Sequence, residues 1–127
     1  MARVFFVGFD PETVDYSDPA PPPGMTSAKI KTGIELALEQ MAARGWTVDL
    51  CLIWPDETAV PTVERQLASA SYDCVVIGAG VRLPPRHLVL FEAVVNAVRR
   101  AAPAAAVAFN TIPEDSADAA ARWVPPG

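Results

Sequence analysis

Residues 74–79 read CVVIGA, a short apolar run whose residues are β-branched or small and carry no charge. A strand without a polar face is typical of a sheet that is covered on both sides by other elements. Three further runs have nearly the same character, and they lie at 3–9 (RVFFVGF), 47–53 (TVDLCLI) and 105–109 (AAVAF). Together the four runs predict a parallel sheet buried between two layers of helices.

Helical patterns follow the predicted strands. The first, over 26–44, has an apolar residue at every third or fourth position. Thr26 or Ser27 is suited to cap its N-terminus, and Gly45 supplies a stop just past its end. The third, over 85–102, is apolar on more than one face, which indicates deep burial or an interface. The remaining two helices are predicted over 61–70 and 115–123.

The order of strands and helices predicts the topology. Because a crossover between parallel strands is right-handed, alternating strands and helices give a parallel sheet with helices on both faces. We predict a three-layer α/β/α sandwich with four strands in the order 2-1-3-4, formed by residues 1–127 as a single domain. At the level of this pattern the chain resembles a flavodoxin-like or Rossmann-like domain.

Composition and charge exclude several classes of partner. The formal net charge is −5, from 10 Lys and Arg against 15 Asp and Glu, so little positive charge is available for nucleic-acid phosphates. The apolar run at 3–9 is too short for a signal sequence or a membrane span, and we expect a cytoplasmic protein without a membrane partner. Cys51 and Cys74 lie inside apolar runs without CxxC spacing, so we expect two reduced, buried packing residues.

A long loop follows the first predicted strand, within the segment GFDPETVDYSDPAPPPG at 8–24. Loops in this position usually have about two to six residues, and the Pro- and Asp-rich loop over 10–24 is far longer. Ligands of open α/β sheets bind at the carboxyl ends of the strands, and this loop leaves the sheet there. Two interpretations stay open. The loop is either a semi-rigid lid that brings Asp10, Asp15, Tyr16 and Asp18 to a ligand, or a solvated insertion that covers the sheet end or a neighbouring subunit.

The end of the third predicted strand supplies candidate ligand-binding residues. Gly78 and Gly80 allow a ligand to approach the backbone closely. Arg82 follows them and is suited to bind a carboxylate or a phosphate with two parallel hydrogen bonds. The alternative for Arg82 is a salt bridge to an acid of the 10–24 loop.

Polar side chains are further candidates at the same edge of the sheet. His87 is the only histidine in the chain, so imidazole acid-base chemistry would have to use it, with Asp10 or Asp15 as an orienting carboxylate. His87 is equally suited to an exposed or capping position near the start of a helix. Asn110 and Thr111 end the fourth strand, where they either hydrogen-bond a ligand or turn the chain.

The diagnostic residues of several nucleotide- and phosphate-processing families are absent from the sequence. Gly78 stands where a receiver domain has its phosphoacceptor aspartate, and the loop after the first strand is acidic where a flavodoxin binds the FMN phosphate. GAGVRL at 78–83 lacks the third glycine of a dinucleotide-binding GxGxxG motif, and no GxxxxGK[ST] or GxSxG motif occurs. The sequence therefore identifies no cofactor.

The sequence favours a module that binds a small anionic metabolite at the carboxyl ends of the strands, because no nucleophile with a paired base is recognisable. One enzyme alternative is acid-base catalysis by His87 with Asp10 or Asp15. Another is a Mg²⁺ site formed by Asp10, Asp15 and Asp18. A third alternative is a homo-oligomeric interaction protein, in which a partner copy covers the third predicted helix and the last predicted strand.

Overall fold

The computed structural model describes residues 2–14 and 24–125, and these form a sheet of four parallel strands in the order β2-β1-β3-β4. The predicted fold class and strand order are confirmed. The strands are β1 Arg3–Phe9, β2 Thr47–Ile53, β3 Cys74–Ile77 and β4 Ala106–Phe109. β3 is shorter than the apolar run that predicts it, because the chain leaves the sheet at Gly78 and begins a helix.

The two central strands carry most of the core. β3 pairs with residues 4–7 of β1 on one side and with the whole of β4 on the other. All four residues of β3 are buried. Successive side chains of β1 alternate between the faces of the sheet, with Phe5 and Val7 in one core cluster and Val4 and Phe6 in the other.

Helices form the two outer layers of the sandwich. They are α1 Ser27–Ala43, α2 Ala59–Leu67, α3 Ala79–Arg82, α4 Leu88–Ala101 and α5 Ser116–Ala121. α1 and α5 pack on the face that carries Val4 and Phe6, whereas α2 and α4 pack on the face that carries Phe5 and Val7. In the described ranges no helix combines the length and the apolar character that a membrane crossing requires.

The predicted third helix requires a correction. Instead of one helix over 85–102, a 3-10 turn at Pro85–His87 is followed by α4. Pro84 is extended because the ring of the following proline disfavours a helical conformation. His87 (φ −101°, ψ 12°) is the last residue of the 3-10 turn and occupies the N-cap position of α4, without a capping hydrogen bond from its side chain. α3 has no counterpart among the predicted helices, and the other helices differ from prediction by a few residues at their ends.

The boundaries of α1 follow from its flanking residues. The Thr26 hydroxyl oxygen accepts a hydrogen bond of 3.2 Å from the N–H of Lys29, which confirms Thr26 as the N-cap. Past the other end, Gly45 has a left-handed backbone (φ +84°), and its N–H donates to the carbonyl of Ala42 at 3.0 Å.

Both cysteines are packing residues, as expected. Cys51 and Cys74 are free and buried, and they belong to different core clusters on opposite faces of the sheet. Burial raises the pKa of each thiol to about 11, so both are neutral at neutral pH.

Candidate functional site

A cleft opens at the carboxyl ends of β1, β3 and β4 and has a volume of about 170 Å³. Gly8 of β1, Gly78 after β3 and Asn110 after β4 lie in its lining. Part of the opposite wall comes from α1 and from Pro113, which begins a 3-10 turn packed against α1. The cleft therefore lies beside the reversal of the winding between β1 and β3, the usual place for ligands in open α/β sheets.

Glycines keep the cleft open. A Cβ atom on Gly8 or on Gly80 would have no heavy atom within 4 Å, so a side chain at either position would extend into open space. At Gly78 a Cβ atom would lie 3.3 Å from the carbonyl oxygen of Val7, because the two backbone segments pack closely there. Gly78 is thus a packing residue at the base of the cleft, whereas Gly8 and Gly80 border its empty part.

Most of the remaining wall is apolar. Phe6 comes from β1, Ile30 and Ile34 come from α1, and Leu83 and Pro84 follow α3. Burial of apolar surface contributes about 25 cal/mol per Å². The wall is therefore suited to a ligand with hydrocarbon or aromatic surface.

His87 lies against Phe9 at one side of the cleft. The two ring centroids are 4.9 Å apart and the ring planes meet at 67°, an edge-to-face contact. Burial, together with the positive charge of Arg86, holds the pKa of His87 below its ordinary value. The imidazole is therefore mostly neutral at neutral pH and presents one N–H donor. Among the described residues, no carboxylate is hydrogen-bonded to it.

Arg86 gives this side of the cleft a permanent positive charge. It belongs to the turn Pro85–His87, next to His87, and both residues line the cleft. A guanidinium is always charged in proteins and carries five N–H donors. Arg86 and His87 therefore form the polar part of the cleft wall.

The Asn110 side chain connects segments that are distant in the sequence through hydrogen bonds. Its side chain is buried; Oδ1 accepts from the N–H of Ala79 at 2.7 Å, and Nδ2 donates to the Ser116 hydroxyl at 2.8 Å. The Ser116 hydroxyl in turn donates to the carbonyl of Pro113 at 2.7 Å. Asn110 thus joins the end of β4 to the starts of α3 and α5. Of its two predicted roles, ligand binding or chain organisation, these contacts match the second.

Thr111 is hydrogen-bonded to Asp115. The hydroxyl and the N–H of Thr111 both donate to the Asp115 carboxylate, and the N–H of Ile112 donates to it at 3.4 Å. Burial alone would raise the pKa of Asp115, but these hydrogen bonds outweigh it and hold the pKa below its ordinary value. Thr111 lines the cleft, yet its hydroxyl proton is directed to Asp115 and away from a ligand.

Arg82 and Asp10 are predicted site residues that do not line the cleft. Arg82 donates through Nη2 to the carbonyl of Asn110 at 2.9 Å, and its guanidinium lies over the Phe109 ring. Asp10 accepts from the N–H of Glu12 at 3.0 Å and caps the turn that follows β1. The structure therefore does not bring Asp10 to His87 as a hydrogen-bonded pair.

Part of the predicted site falls outside the described residues. Tyr16, Asp15 and Asp18 belong to the long loop, and the structure describes none of them. Within 2–14 and 24–125, no group of three or more His, Cys, Asp or Glu residues is placed to hold a metal ion. The Mg²⁺ alternative consequently depends on Asp15 and Asp18.

Several residues that border the cleft were not predicted as site residues. Gly8 could have been identified from the sequence, because a glycine inside a strand often marks a place where another group approaches the backbone. Ile30 and Ile34 belong to the predicted apolar stripe of α1, and nothing in that stripe shows that it reaches past the sheet. Arg86 lies near the predicted anchor Arg82 in the sequence, and the turn Pro85–His87 places Arg86 in the lining of the cleft.

Comparison with protein-family models, curated proteins and solved structures finds no match to this chain. The function is therefore argued from the geometry of the cleft.

Proposed function

We propose that the cleft binds a small organic anion. The observation that supports this most directly is the pairing of an apolar cleft at the carboxyl ends of the strands with Arg86 and His87 in one part of its wall. The apolar wall favours burial of a hydrocarbon or aromatic body, and the guanidinium attracts a negative group. Few polar groups in a mostly apolar cleft are typical of sites that recognise small molecules.

Binding is favoured over acid-base catalysis by the surroundings of His87. A histidine base is usually oriented by a second group, such as a carboxylate, that hydrogen-bonds its other ring nitrogen. His87 instead contacts the Phe9 ring, and the carboxylate of Asp10 is used in its own turn. The enzyme alternative requires a partner for His87 from a ligand or from outside the described residues.

The test blocks the cleft without disturbing the core. Gly8→Val places a β-branched side chain in a strand, where such residues are favoured, and directs it into open space. The matched control is Leu52→Val, because Leu52 is paired with Gly8 in the adjacent strand but is exposed and does not line the cleft.

The measurement is a thermal-shift screen of carboxylates, phosphorylated metabolites and nucleotides. A ligand at about a hundred times its Kd should stabilise the fold by about 2.7 kcal/mol, an effect of several degrees in a domain of this size. We expect a stabilising ligand with the wild type and with Leu52→Val, and no shift with Gly8→Val. The proposal fails if no small anion stabilises the protein, or if Gly8→Val responds like the wild type.

A second candidate function is self-association through apolar side chains near the mouth of the cleft. Leu83, Leu88 and Val89 are 50%, 57% and 76% exposed, and they lie within one short stretch of the chain. Phe91 and Val95 of α4 pack partly on the core, so the apolar surface left for a partner lies at the start of this helix. Sedimentation velocity of the wild type and of Val89→Glu tests this: a dimer that the substitution dissociates supports it, and a monomeric wild type excludes it.

A further inference from the structure

We infer that two copies of this chain pair edge to edge through β4, antiparallel about a two-fold axis at Val107, and form one continuous sheet. This pairing does not depend on the proposed anion site. It is made by backbone groups rather than by the exposed side chains at the start of α4. Three observations carry it: the unpaired backbone groups of the edge, their symmetry about Val107, and the side chains that flank them.

The outer side of β4 presents backbone donors and acceptors. β4 is the last strand of the sheet and is paired with β3. The N–H of Ala106 donates to the carbonyl that precedes β3 at 3.0 Å, so the backbone groups of Ala106 and Ala108 point toward β3. A trans peptide directs its C=O and the next N–H oppositely, so the carbonyls of Ala105 and Val107 and the N–H groups of Val107 and Phe109 point away from β3. Within 2–14 and 24–125, none of these outward groups has a hydrogen-bond partner.

The neighbouring groups at both ends of this edge are already used. The N–H of Ala105 donates to the carbonyl of Ala102 at 3.1 Å. The carbonyl of Phe109 accepts from Nη2 of Arg122 at 3.0 Å. The groups that remain are the carbonyl of Ala105, both groups of Val107 and the N–H of Phe109, a set that is symmetric about Val107.

A two-fold axis at Val107 pairs every one of these groups. In a hydrogen-bonded pair of an antiparallel ladder, the opposite residues exchange both bonds. Val107 would exchange them with Val107 of a second copy, and the N–H of Phe109 would donate to the carbonyl of Ala105 of that copy. The neighbouring registers place Val107 opposite Ala105 or Phe109, and each then requires a group that is already bonded within the chain. A self-complementary edge of this kind favours an identical partner.

The side chains of the edge are compatible with this register. Val107 meets its own copy, and pairs of β-branched residues suit antiparallel strands. Phe109 meets Ala105, so a large side chain lies opposite a small one. No residue of β4 is charged, whereas β2, the opposite edge strand, carries Asp49, which accepts from Arg3. Charged side chains protect edge strands from pairing, so β4 is the less protected edge.

α4 places a half-buried apolar strip beside β4. The rings of Phe91 and Phe109 are in contact, with centroids 5.8 Å apart, and Phe91 and Val95 pack only partly against the core. The crossover helix α4 runs against the direction of β4. Because a helix rises about 1.5 Å per residue and a strand about 3.3 Å, Val95 lies about level with Val107. A two-fold axis at Val107 would therefore bring the strips of both copies together and remove them from water.

Charges on α4 fit the same axis. Glu92 and Arg99 are exposed, and they lie on the same side of the helix as Val95, one turn before it and one turn after it. Within the described ranges, neither side chain forms an ion pair. A two-fold axis level with Val95 places Glu92 of each copy near Arg99 of the other. Opposite charges would then meet at both ends of the interface, which supports this orientation of the two copies.

Amide hydrogen exchange of the full chain, followed by NMR, tests the pairing without a substitution. We expect the N–H groups of Val107 and Phe109 to exchange about tenfold or more slowly than those of Leu50 and Leu52, which point away from β1 at the other edge. The difference should shrink when the protein is diluted below the Kd of the dimer. Equally rapid exchange at both edges at every concentration overturns the inference. Slow exchange in a monomeric protein overturns it as well, because a segment of the same chain would then cover the edge.

Sedimentation velocity of Val107→Pro and Leu52→Pro compares the two edges. Each substitution removes an N–H that points away from the sheet, so neither breaks a ladder hydrogen bond within the chain. We expect a dimer for the wild type and for Leu52→Pro, and a monomer for Val107→Pro, with circular dichroism showing that each variant is folded. A monomeric wild type, or a dimer that survives Val107→Pro, contradicts the pairing. If Val107→Pro does not fold, the exchange experiment on the wild type decides.

Charge reversal on α4 tests the register. Glu92→Lys should weaken the dimer about threefold or more, and the double variant Glu92→Lys, Arg99→Glu should restore the wild-type affinity. Both positions are exposed, so the fold should be unchanged. A double variant as weak as Glu92→Lys would rule out the register about Val107. A dimer that Val89→Glu dissociates while the N–H of Val107 exchanges rapidly would belong to the second candidate function and exclude the edge pairing. The thermal-shift screen for anions decides the proposed function independently of these results.

Discussion

The side-chain oxygen of Asn110 accepts a hydrogen bond of 2.7 Å from the backbone N–H of Ala79, so a residue at the end of β4 caps the short helix that follows β3. The same side chain donates to Ser116, at the start of α5. α3 leads into the segment that carries Leu83, Arg86 and the rest of this cleft wall. The position of that wall therefore depends on one buried amide.

Asn110→Ala should destabilise the protein. The substitution leaves the N–H of Ala79 and the hydroxyl of Ser116 without a partner, and such losses cost about 1 to 3 kcal/mol when the group is buried. Urea unfolding followed by circular dichroism measures the change. Thr32→Ala, which removes an exposed hydroxyl bonded within α1, serves as control and should change the free energy of unfolding by less than about 0.5 kcal/mol. Equal changes in the free energy of unfolding for the two substitutions would contradict the conclusion that the hydrogen bonds of Asn110 stabilise the fold.

Two glycine substitutions should have opposite effects. Gly80→Ala places a methyl group in open space on α3 and should stabilise the protein by about 0.4 to 1 kcal/mol, chiefly by restricting the unfolded chain. Gly45→Ala forces alanine into a left-handed backbone at φ +84° and should destabilise it by about 1 to 2 kcal/mol. Thermal and urea unfolding of both variants tests this pair. A destabilised Gly80→Ala variant would mean that the space beside Gly80 is filled.

His87 should make the protein less stable as the pH falls. Burial, together with the charge of Arg86, lowers its pKa in the folded state, so the unfolded chain takes up the proton more readily. Above the pKa that His87 has in the unfolded chain, its neutral form contributes fully to the free energy of unfolding. This contribution is lost as the pH falls through the lower pKa that His87 has in the folded protein. Between about pH 7.5 and about pH 5.5, urea unfolding should therefore show a larger loss of stability for the wild type than for His87→Gln. Parallel pH profiles would show that His87 is not desolvated.

Cys51 and Cys74 should be unreactive until the protein unfolds. Both thiols are buried, and burial raises the pKa of each to about 11, so little thiolate exists at neutral pH. We expect an aromatic disulfide reagent to label the native protein at least about a hundredfold more slowly than the protein in urea. Rapid labelling of one cysteine in the native state would place that residue in a region that opens locally.

The strands were predictable because they depend on patterns within short segments. The sheet order, which no short segment specifies, was expected from the flavodoxin-like winding, and the structure confirms it. The apolar residues of β3 have to be covered on both faces, and the helical stripe that begins after Thr26 supplies one of the covering elements. The helix predicted over 85–102 begins with the 3-10 turn Pro85–His87, and α4 starts only at Leu88. Hydrophobic spacing missed this boundary because it does not distinguish one 3-10 turn from the first turn of an α-helix.

The place of the cleft was predictable, and so were some of the residues that line it. Five predicted site residues belong to the lining: Gly78, Gly80, His87, Asn110 and Thr111. Arg82 and Asp10 do not. Sequence position places a residue at the edge of the sheet, but it does not show which way the side chain turns. The direction depends on the short helix α3 and on hydrogen bonds to distant residues.

The sequence by itself determined a four-stranded parallel sheet between two helical layers, since the period and length of apolar runs are properties of neighbouring residues. Only the tertiary structure decided that the Asn110 side chain hydrogen-bonds the starts of two helices, that Thr111 donates to Asp115, and that Arg86 lines the cleft. These assignments depend on which polar groups meet after the chain has packed. A buried amide or hydroxyl must find a hydrogen-bond partner within the fold, and that requirement sets which polar groups remain for a ligand.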